Sequence, residues 1–221
     1  MKNMFRFFSI CFLLFFLSCA AKSSHPAKIT SSQSEGLKAL VRFTVEDGNG
    51  GGVSSLAVLA QKPDLFRVDM LDEVADRIYA LGNDGKNVWF WDQAKKKSGR
   101  FQASREKMQK YFQLNLSPAQ LVSVFFGEVP HDVLSKQFKD TQGRVREARL
   151  YKDEQTLVDE KPYLILFFDE HSAEGDRDFP HLIQLSFLEE NEVVEMSLEY
   201  ETFEWTRKID ARLFSLDSIQ N

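Results

Sequence analysis

The fold of this chain is decided by the stretch Val193-Val194-Glu195-Met196-Ser197-Leu198-Glu199-Tyr200, which alternates apolar and polar residues with a period of two. Successive side chains of a strand point to opposite faces of a sheet, so the stretch predicts a strand with one apolar and one charged face. Residues 37–45 repeat this alternation except at Leu40, and a glycine-rich turn at 47–52 leads to a return strand at 53–60. The two segments predict an antiparallel hairpin.

Further apolar alternations lie between turn signals on both sides of a central helical region. They predict strands at 66–70, 78–81, 88–91, 99–101, 145–151, 163–168, 182–188 and 202–209. Ser104 is placed to cap a first helix. A second helix has Ser117 as N-cap, Pro118 at the first position and Gln120 as capping-box partner, with Gly127 past its end. Its residues 121–126 are apolar on nearly every side, so most of its circumference must be covered.

A sheet with one apolar face and only two short helices needs those helices as its cover. The sequence therefore predicts a mostly β protein of the α+β class. A curved antiparallel sheet forms an unclosed β-barrel, and a helical lid lies over a hydrophobic cavity. Residues 36–215 contain no long linker and no repeat, so they are expected to form a single domain.

The first eighteen residues have the composition of a secretory signal peptide. Lys2 and Arg6 precede an uncharged apolar run of about a dozen residues, which is too short for a membrane-spanning helix. The following Ser18-Cys19 resembles the lipobox of bacterial lipoproteins, which implies cleavage before Cys19 and lipidation of that residue. The alternative is ordinary signal cleavage nearby, with Cys19 incidental. Residues 19–35 are small and polar and predict a flexible tether.

The residue after Cys19 indicates at which membrane the protein is expected, and the net charge indicates which classes of partner are unfavourable. In lipoprotein sorting an aspartate after the cysteine favours inner-membrane retention, and Ala20 stands here, so the periplasmic face of the outer membrane is the expected location. Removing residues 1–18 takes away two of 28 basic residues and none of 33 acidic ones, which leaves a net charge of −7. An anionic chain is a poor partner for nucleic acid. Cys11 and Cys19 are its two cysteines, so the domain itself has no thiol chemistry.

The polar residues of the domain form no recognisable catalytic or metal motif. The glycines at 50–52 precede a strand and lack the lysine of a phosphate loop, and the histidines fit no zinc or nucleophile motif. Residues 169–181 are rich in Asp, Glu and His, and we interpret them as a solvated loop between strands, with a divalent-cation site as the alternative. We interpret the triplet 95–97 as a solvated lysine turn, with a lipid-headgroup contact as the alternative. We expect a protein that is not an enzyme and holds no metal or cofactor.

Two stretches resemble the family of lipoprotein-localisation proteins that includes the outer-membrane receptor LolB and its periplasmic relative LolA. The first is Arg105 to Pro130, with Leu114-Asn115-Leu116-Ser117-Pro118-Ala119-Gln120-Leu121 followed by Phe126-Gly127-Glu128-Val129-Pro130. The second is Phe66 to Ile78, where the family has a strand, a protruding apolar loop tip and a returning strand. Val74 corresponds to that tip. This sequence departs from the family by placing Asp72, Glu73 and Asp76 around it.

The resemblance implies that acyl chains bind in the barrel and that the protein takes part in lipoprotein or lipid delivery to the outer membrane. Its implied partners are acyl chains, the outer-membrane bilayer and a periplasmic LolA-like carrier. The cavity residues it implies are Phe43, Leu56, Val68, Met70, Trp89, Phe90, Leu121, Phe125, Met196 and Leu198. Two alternatives stay open. One is a structural or interaction lipoprotein that presents its anionic surface to a protein partner, and the other is a hydrolase that uses His171.

Overall fold

The computed structural model describes residues 35–47, 50–174, 177–188 and 193–220. Residues 35–220 belong to one compact unit. The predicted signal peptide, the predicted lipidation site Cys19 and most of the predicted tether lie outside the described residues. Within them, no helix has both the length and the apolar character needed to span a membrane.

Eleven strands follow one another with only short helical segments between them. They are β1 (Gly36–Asp47), β2 (Gly50–Gln61), β3 (Leu65–Leu71), β4 (Arg77–Asn83), β5 (Asn87–Asp92), β6 (Lys97–Gln102), β7 (Leu134–Lys139), β8 (Val145–Tyr151), β9 (Leu164–Glu174), β10 (Arg177–Leu188) and β11 (Val193–Thr206). All of them pair antiparallel in one sheet, in the order β6-β5-β4-β3-β2-β1-β11-β10-β9-β8-β7. The two ends of the sheet stay apart, which confirms the predicted unclosed barrel.

The first and last strands of the sequence, β1 and β11, are paired in the middle of the sheet. β1 pairs with β11 from Gly36↔Thr206 to Glu46↔Glu195, and the register shifts between Leu40 and Val41. Glu201 on β11 is the extra residue at this bulge. Because a bulge adds one residue to one strand, it reverses the inside–outside alternation beyond it. Tyr200 and Phe203 therefore both face the core.

The helical region between β6 and β7 holds α1 (Arg105–Phe112) and α2 (Pro118–Phe125). The predicted start of α2 is confirmed: the Ser117 hydroxyl accepts from the Gln120 amide at 3.2 Å, and the Gln120 side chain accepts from the Ser117 amide at 2.9 Å. Gly127 follows with a φ of 68°, a conformation that glycine adopts at little cost. A short α3 (Glu154–Val158) connects β8 and β9.

The main apolar core lies on the concave side of the sheet. Strand residues such as Val41, Val58 and Leu166 are buried in it together with α2 residues such as Val122 and Phe125. α2 packs on β2 and β3 from one half of the sheet, and Tyr200 of β11 contacts it from the other. The helix therefore lies inside the curve of the sheet.

A second, smaller core lies on the convex side, under the end of the chain. A 3-10 turn (Ala211–Phe214) and α4 (Asp217–Gln220) cross the outside of the sheet; we call residues 209–219 the C-terminal strap. Leu216 and Ile219 of the strap pack with Ala80, Trp89 and Trp91. The Trp89 indole donates to the Phe214 carbonyl at 2.6 Å. The strap thus closes part of the outer face against water.

The structure corrects three expectations about the elements. β7 and α3 were not predicted. Residues 169–181 are not a solvated loop, because β9 and β10 continue as a hairpin in which His171 pairs with Pro180. The separate strands expected at 193–200 and 202–209 are one strand, β11, that ends at Thr206.

Candidate functional site

The candidate site is the concave face of the sheet and the helix that covers it. Eight of the ten residues predicted to line a cavity meet in the main core. Leu56, Leu121, Phe125 and Leu198 are buried there, and Phe43, Val68, Met70 and Met196 are partly buried against it. Strand alternation explains this convergence, because cross-strand partners such as Phe43↔Leu198 and Leu56↔Met70 face the same side.

Phe90 lies on the same face at its edge. It pairs with Leu81 on β4, which packs against the main core, and its ring meets that of Phe112 on α1 edge-on at 6.4 Å. Phe90 therefore lies under the first helix rather than under α2. It is partly buried there.

Trp89 is not on the concave face, which corrects the sequence prediction. Phe90 faces inward, and its neighbour in the strand must face outward. Trp89 is fully buried on the convex side, where its ring lies against Gly82 and its indole bonds to the strap. A Cβ at Gly82 would overlap the Trp89 ring, so that position requires a glycine. Trp89 therefore cannot line a cavity inside the sheet.

α2 is held in the concavity by ring packing and by one buried hydrogen bond. The rings of Phe66 and Phe125 are 6.4 Å apart in an edge-on arrangement. The Tyr200 hydroxyl donates to the Phe125 carbonyl at 2.9 Å. Complete burial raises the pKa of Tyr200, so the phenol stays protonated and keeps donating at physiological pH. Acyl chains could enter this part of the concave face only if α2 moved.

An aromatic cluster beside the end of α2 was missed in the sequence. Phe179 meets Phe203 at 4.7 Å, Tyr200 at 5.0 Å and Trp205 at 5.2 Å, and Trp205 also meets Phe126 at 5.6 Å. Gly127 adjoins this cluster, because a Cβ there would lie 2.6 Å from the Pro180 ring. The cluster depends on the bulge at Glu201, which no alternation pattern reveals.

The same region contains a serine–histidine pair. Ser172 Oγ and His181 Nε2 are 2.5 Å apart. A second histidine of this hairpin lies near an acid: His171 Nδ1 is 3.4 Å from Asp178 Oδ1. His171 and Ser172 are neighbours on β9 and face opposite sides. In the described part of the chain, these pairs therefore do not combine into a Ser-His-Asp array, and no group of three or more His, Cys, Asp or Glu residues is placed to hold a metal ion.

Val74 lies at the tip of the turn between β3 and β4. Its side chain is 76% exposed. The Asp72 carboxylate accepts from the backbone amides of Val74 at 3.0 Å and Asp76 at 2.8 Å, which fixes the turn. Glu73 is also exposed, so three acids surround the apolar tip.

Neither a family model nor a curated protein matches this chain. Solved structures do. A domain named as an outer membrane lipoprotein-sorting protein, from Vibrio parahaemolyticus, has a TM-score of 0.56 at 9% identity and covers 85% of this chain and 92% of its own. A LolA superfamily protein from Nitrosomonas europaea has a TM-score of 0.53 at 14% identity, with 86% and 93% covered.

A DUF1329 family protein from Desulfovibrio piger gives a TM-score of 0.56 at 9% identity, covering 86% of this chain and 93% of its own. At these identities the similarity concerns the path of the backbone and not the side chains of a site. The three structures follow a similar backbone path over most of this chain. The chain therefore has the fold of the LolA superfamily protein and of the lipoprotein-sorting domain.

Proposed function

We propose that the protein binds acyl chains of lipids or lipoproteins between α2 and the concave face of the sheet, without catalysing a reaction. One observation carries the proposal: in a fold shared with a lipoprotein-sorting domain, the apolar face of the sheet is covered by a short apolar helix rather than by a second sheet. Eight residues make a small cover, since α2 runs from Pro118 to Phe125. Such a cover can move without unfolding the strands.

The binding step exchanges one apolar contact for another. When α2 leaves the face, residues such as Leu56 and Leu198 lose their contacts with it, and an entering chain replaces them. An acyl chain held in this site avoids exposure to water, which would cost about 0.8 kcal/mol for each methylene. Return of α2 expels the chain into another apolar environment, such as a bilayer. The direction of transfer then follows from differences in affinity, and no nucleotide is needed.

Membrane anchoring through a lipidated Cys19 is part of the proposal. Several acyl chains on one residue hold a protein on a bilayer far more durably than one. The tether at 19–35 leads into β1, so the domain would stay close to the outer membrane, where a periplasmic LolA-like carrier delivers cargo. Val74 would reach the bilayer surface only, because burying Asp72, Glu73 and Asp76 in lipid is costly.

Binding of an uncharged apolar dye, N-phenyl-1-naphthylamine, tests the proposal. The chain starting at Ala20 carries every described strand, and circular dichroism establishes that it is folded. We expect saturable fluorescence enhancement, with a lipopeptide that carries acyl chains competing for the dye. Phe125→Ala loosens α2 and should speed dye uptake, whereas Val158→Ala at a 75% exposed site should not. Absence of saturable binding in the folded chain would contradict the proposal.

The interaction lipoprotein is the second candidate. The acids around Val74 favour it, because they depart from the apolar tip of the family. Depletion of the protein in its own cells separates the two functions. Mislocalised lipoproteins are expected for acyl-chain delivery, and normal lipoprotein localisation would favour the interaction role.

A further inference from the structure

The segment from Asp92 to Phe112 has a charge opposite to that of the rest of the protein. It contains seven lysine and arginine residues and two acids, while the whole chain has a net charge of −5. The segment covers the turn after β5, all of β6 and all of α1. Lys95, Lys96, Lys97 and Lys110 are exposed in it. Exposed lysines concentrated in one segment of an anionic protein favour an anionic partner for that segment.

A groove of about 300 Å³ lies between this turn and α1. Four aromatic residues form its walls: Tyr79, Phe90, Tyr111 and Phe112. Tyr111 stacks on Phe101 at 4.6 Å and is still 51% exposed, so part of its side chain is accessible to solvent. The groove is thus lined by aromatic side chains and bordered by a partly exposed tyrosine. Tyrosine side chains are common at the boundary between water and lipid, because one end is apolar and the other polar.

Charged side chains at the mouth of the groove are mainly lysines. Lys95 and Lys97 line it together with Asp92. Asp92 lies 3.2 Å from the Lys95 ammonium, and hydrogen bonding from the Lys95 backbone amide lowers the pKa of this carboxyl. The ionised Asp92 offsets one positive charge and leaves the others of the lysine turn. The Lys110 ammonium lies 5.5 Å above the Tyr111 ring, which places a further charge beside the same rim.

We propose that this groove, called the lysine groove below, binds the phosphate headgroup of an anionic membrane lipid. The lysines contact the phosphate, while Tyr111 and the aromatic walls contact the glycerol and upper chain region. Exposed lysines near an anionic bilayer each contribute appreciably to binding, and the contribution falls with salt. The inference requires that the protein meets a bilayer, but it does not depend on acyl chains entering beneath α2.

The acidic turn around Val74 lies at the same edge of the sheet as the lysine turn and differs from it in charge. Successive antiparallel hairpins alternate between the two edges of a sheet, so the β3–β4 and β5–β6 turns lie at the same edge. An anionic surface repels the first turn, with Asp72, Glu73 and Asp76, and attracts the second. Contact through the lysine groove therefore keeps Val74 from leading into the bilayer.

Co-sedimentation with lipid vesicles tests the inference, using the chain that starts at Ala20. We expect binding to vesicles of phosphatidylcholine with phosphatidylglycerol, and little binding to phosphatidylcholine alone. Lys95→Gln with Lys97→Gln should weaken binding to the anionic vesicles by about thirtyfold. Lys139→Gln with Lys161→Gln removes the same charge at exposed sites outside the groove and should weaken it far less. Equal weakening by both pairs would overturn the site and leave general electrostatic attraction.

Two further arms distinguish a lipid headgroup from a free phosphate ion and test the aromatic wall of the groove. Inorganic phosphate at the same ionic strength as a chloride control should not displace the protein from vesicles; displacement specific to phosphate would show a small-anion site and overturn the lipid assignment. Tyr111→Ala should weaken vesicle binding while the Val158→Ala control does not, and no effect of Tyr111→Ala would also count against the groove. The lysine variants should bind N-phenyl-1-naphthylamine as the unaltered chain does. The dye experiment therefore tests the acyl-chain proposal, and the vesicle experiment tests the lysine groove independently of it.

Discussion

Tyr200 is the residue on which the closed position of α2 depends most clearly. Replacing it with phenylalanine leaves the buried Phe125 carbonyl without its donor. An unpaired buried polar group costs about 1–3 kcal/mol, so Tyr200→Phe should lower the free energy of unfolding by about that amount. Denaturant unfolding measures this, and the variant should also take up apolar dye faster.

Tyr151 provides the matched control. It is 1% exposed, and its hydroxyl has no hydrogen-bond partner within the described structure. Because Tyr151→Phe removes a buried hydroxyl that has no hydrogen bond to lose, it should leave the free energy of unfolding unchanged or raise it slightly. If both variants were equally destabilised, the bond to Phe125 would have no special part in holding α2.

Trp89 is a residue whose side of the sheet could not be predicted from the sequence. The run Val88-Trp89-Phe90-Trp91 is apolar at every position, so alternation says that neighbours face opposite sides without saying which side is the concave one. Both Trp89 and Phe90 were predicted to line a cavity. The convex side needs apolar residues here only because the strap covers it, and that contact joins positions 125 residues apart in the chain.

At the level of elements, the C-terminal strap should contribute strongly to stability. Leu216 of the strap is 7% exposed, and Leu213 on the same segment is 40% exposed. Truncating a buried leucine to alanine costs about 2–5 kcal/mol, whereas a more exposed one costs much less. Thermal or denaturant unfolding of Leu216→Ala and Leu213→Ala should show this difference. Similar small losses in both would mean that the strap is only loosely attached.

The start of the strap should respond to acid. Hydrogen bonds from the Arg212 side chain and backbone lower the pKa of Asp210 to about 2. Because the folded pKa lies below the ordinary value, the stabilising effect is complete above that value and is lost as pH falls toward 2. NMR titration should find the Asp210 pKa raised toward its ordinary range in Arg212→Ala. An unchanged pKa in that variant would contradict the pairing.

The elements that could be predicted are those whose sequence signals lie within a few residues of one another. The capping box at Ser117 and the glycine at Gly127 fix α2 through residues a few positions apart, and the structure confirms both. The β9–β10 hairpin was mistaken for a loop because its strands carry charged residues, such as Asp169 and Asp178, which strand patterns disfavour. Salt bridges across strands, such as Arg146 to Asp169 at 2.6 Å, accommodate them.

At the scale of the whole molecule, the unclosed sheet was predictable and its contents were not. Alternating strands and two short helices sufficed for the class of fold. The depth of α2 inside the curve follows instead from long-range packing with Phe66 and Tyr200. Whether the part of the concave face beneath α2 accepts a ligand therefore depends on the motion of α2.

Anchoring is a prediction at the same scale. On the proposed anchoring, the unaltered protein is found in the outer-membrane fraction of cells, and Cys19→Ser should move it to the inner-membrane or soluble fractions, because the proposed site of lipid attachment is removed. Metabolic labelling with radioactive palmitate should mark the unaltered protein and not the variant. Labelling that persists in Cys19→Ser would show that lipid is attached elsewhere.

The central claim is that acyl chains bind on the concave face, and photolabelling tests it most directly. A fatty acid with a photoreactive group near its chain end is equilibrated with the folded chain starting at Ala20, irradiated, and located by mass spectrometry. The account predicts label on the inward residues Leu56, Met196 and Leu198, in preference to their outward neighbours Glu195, Ser197 and Glu199. Label spread equally over both sets, or confined to the outward set, would contradict it.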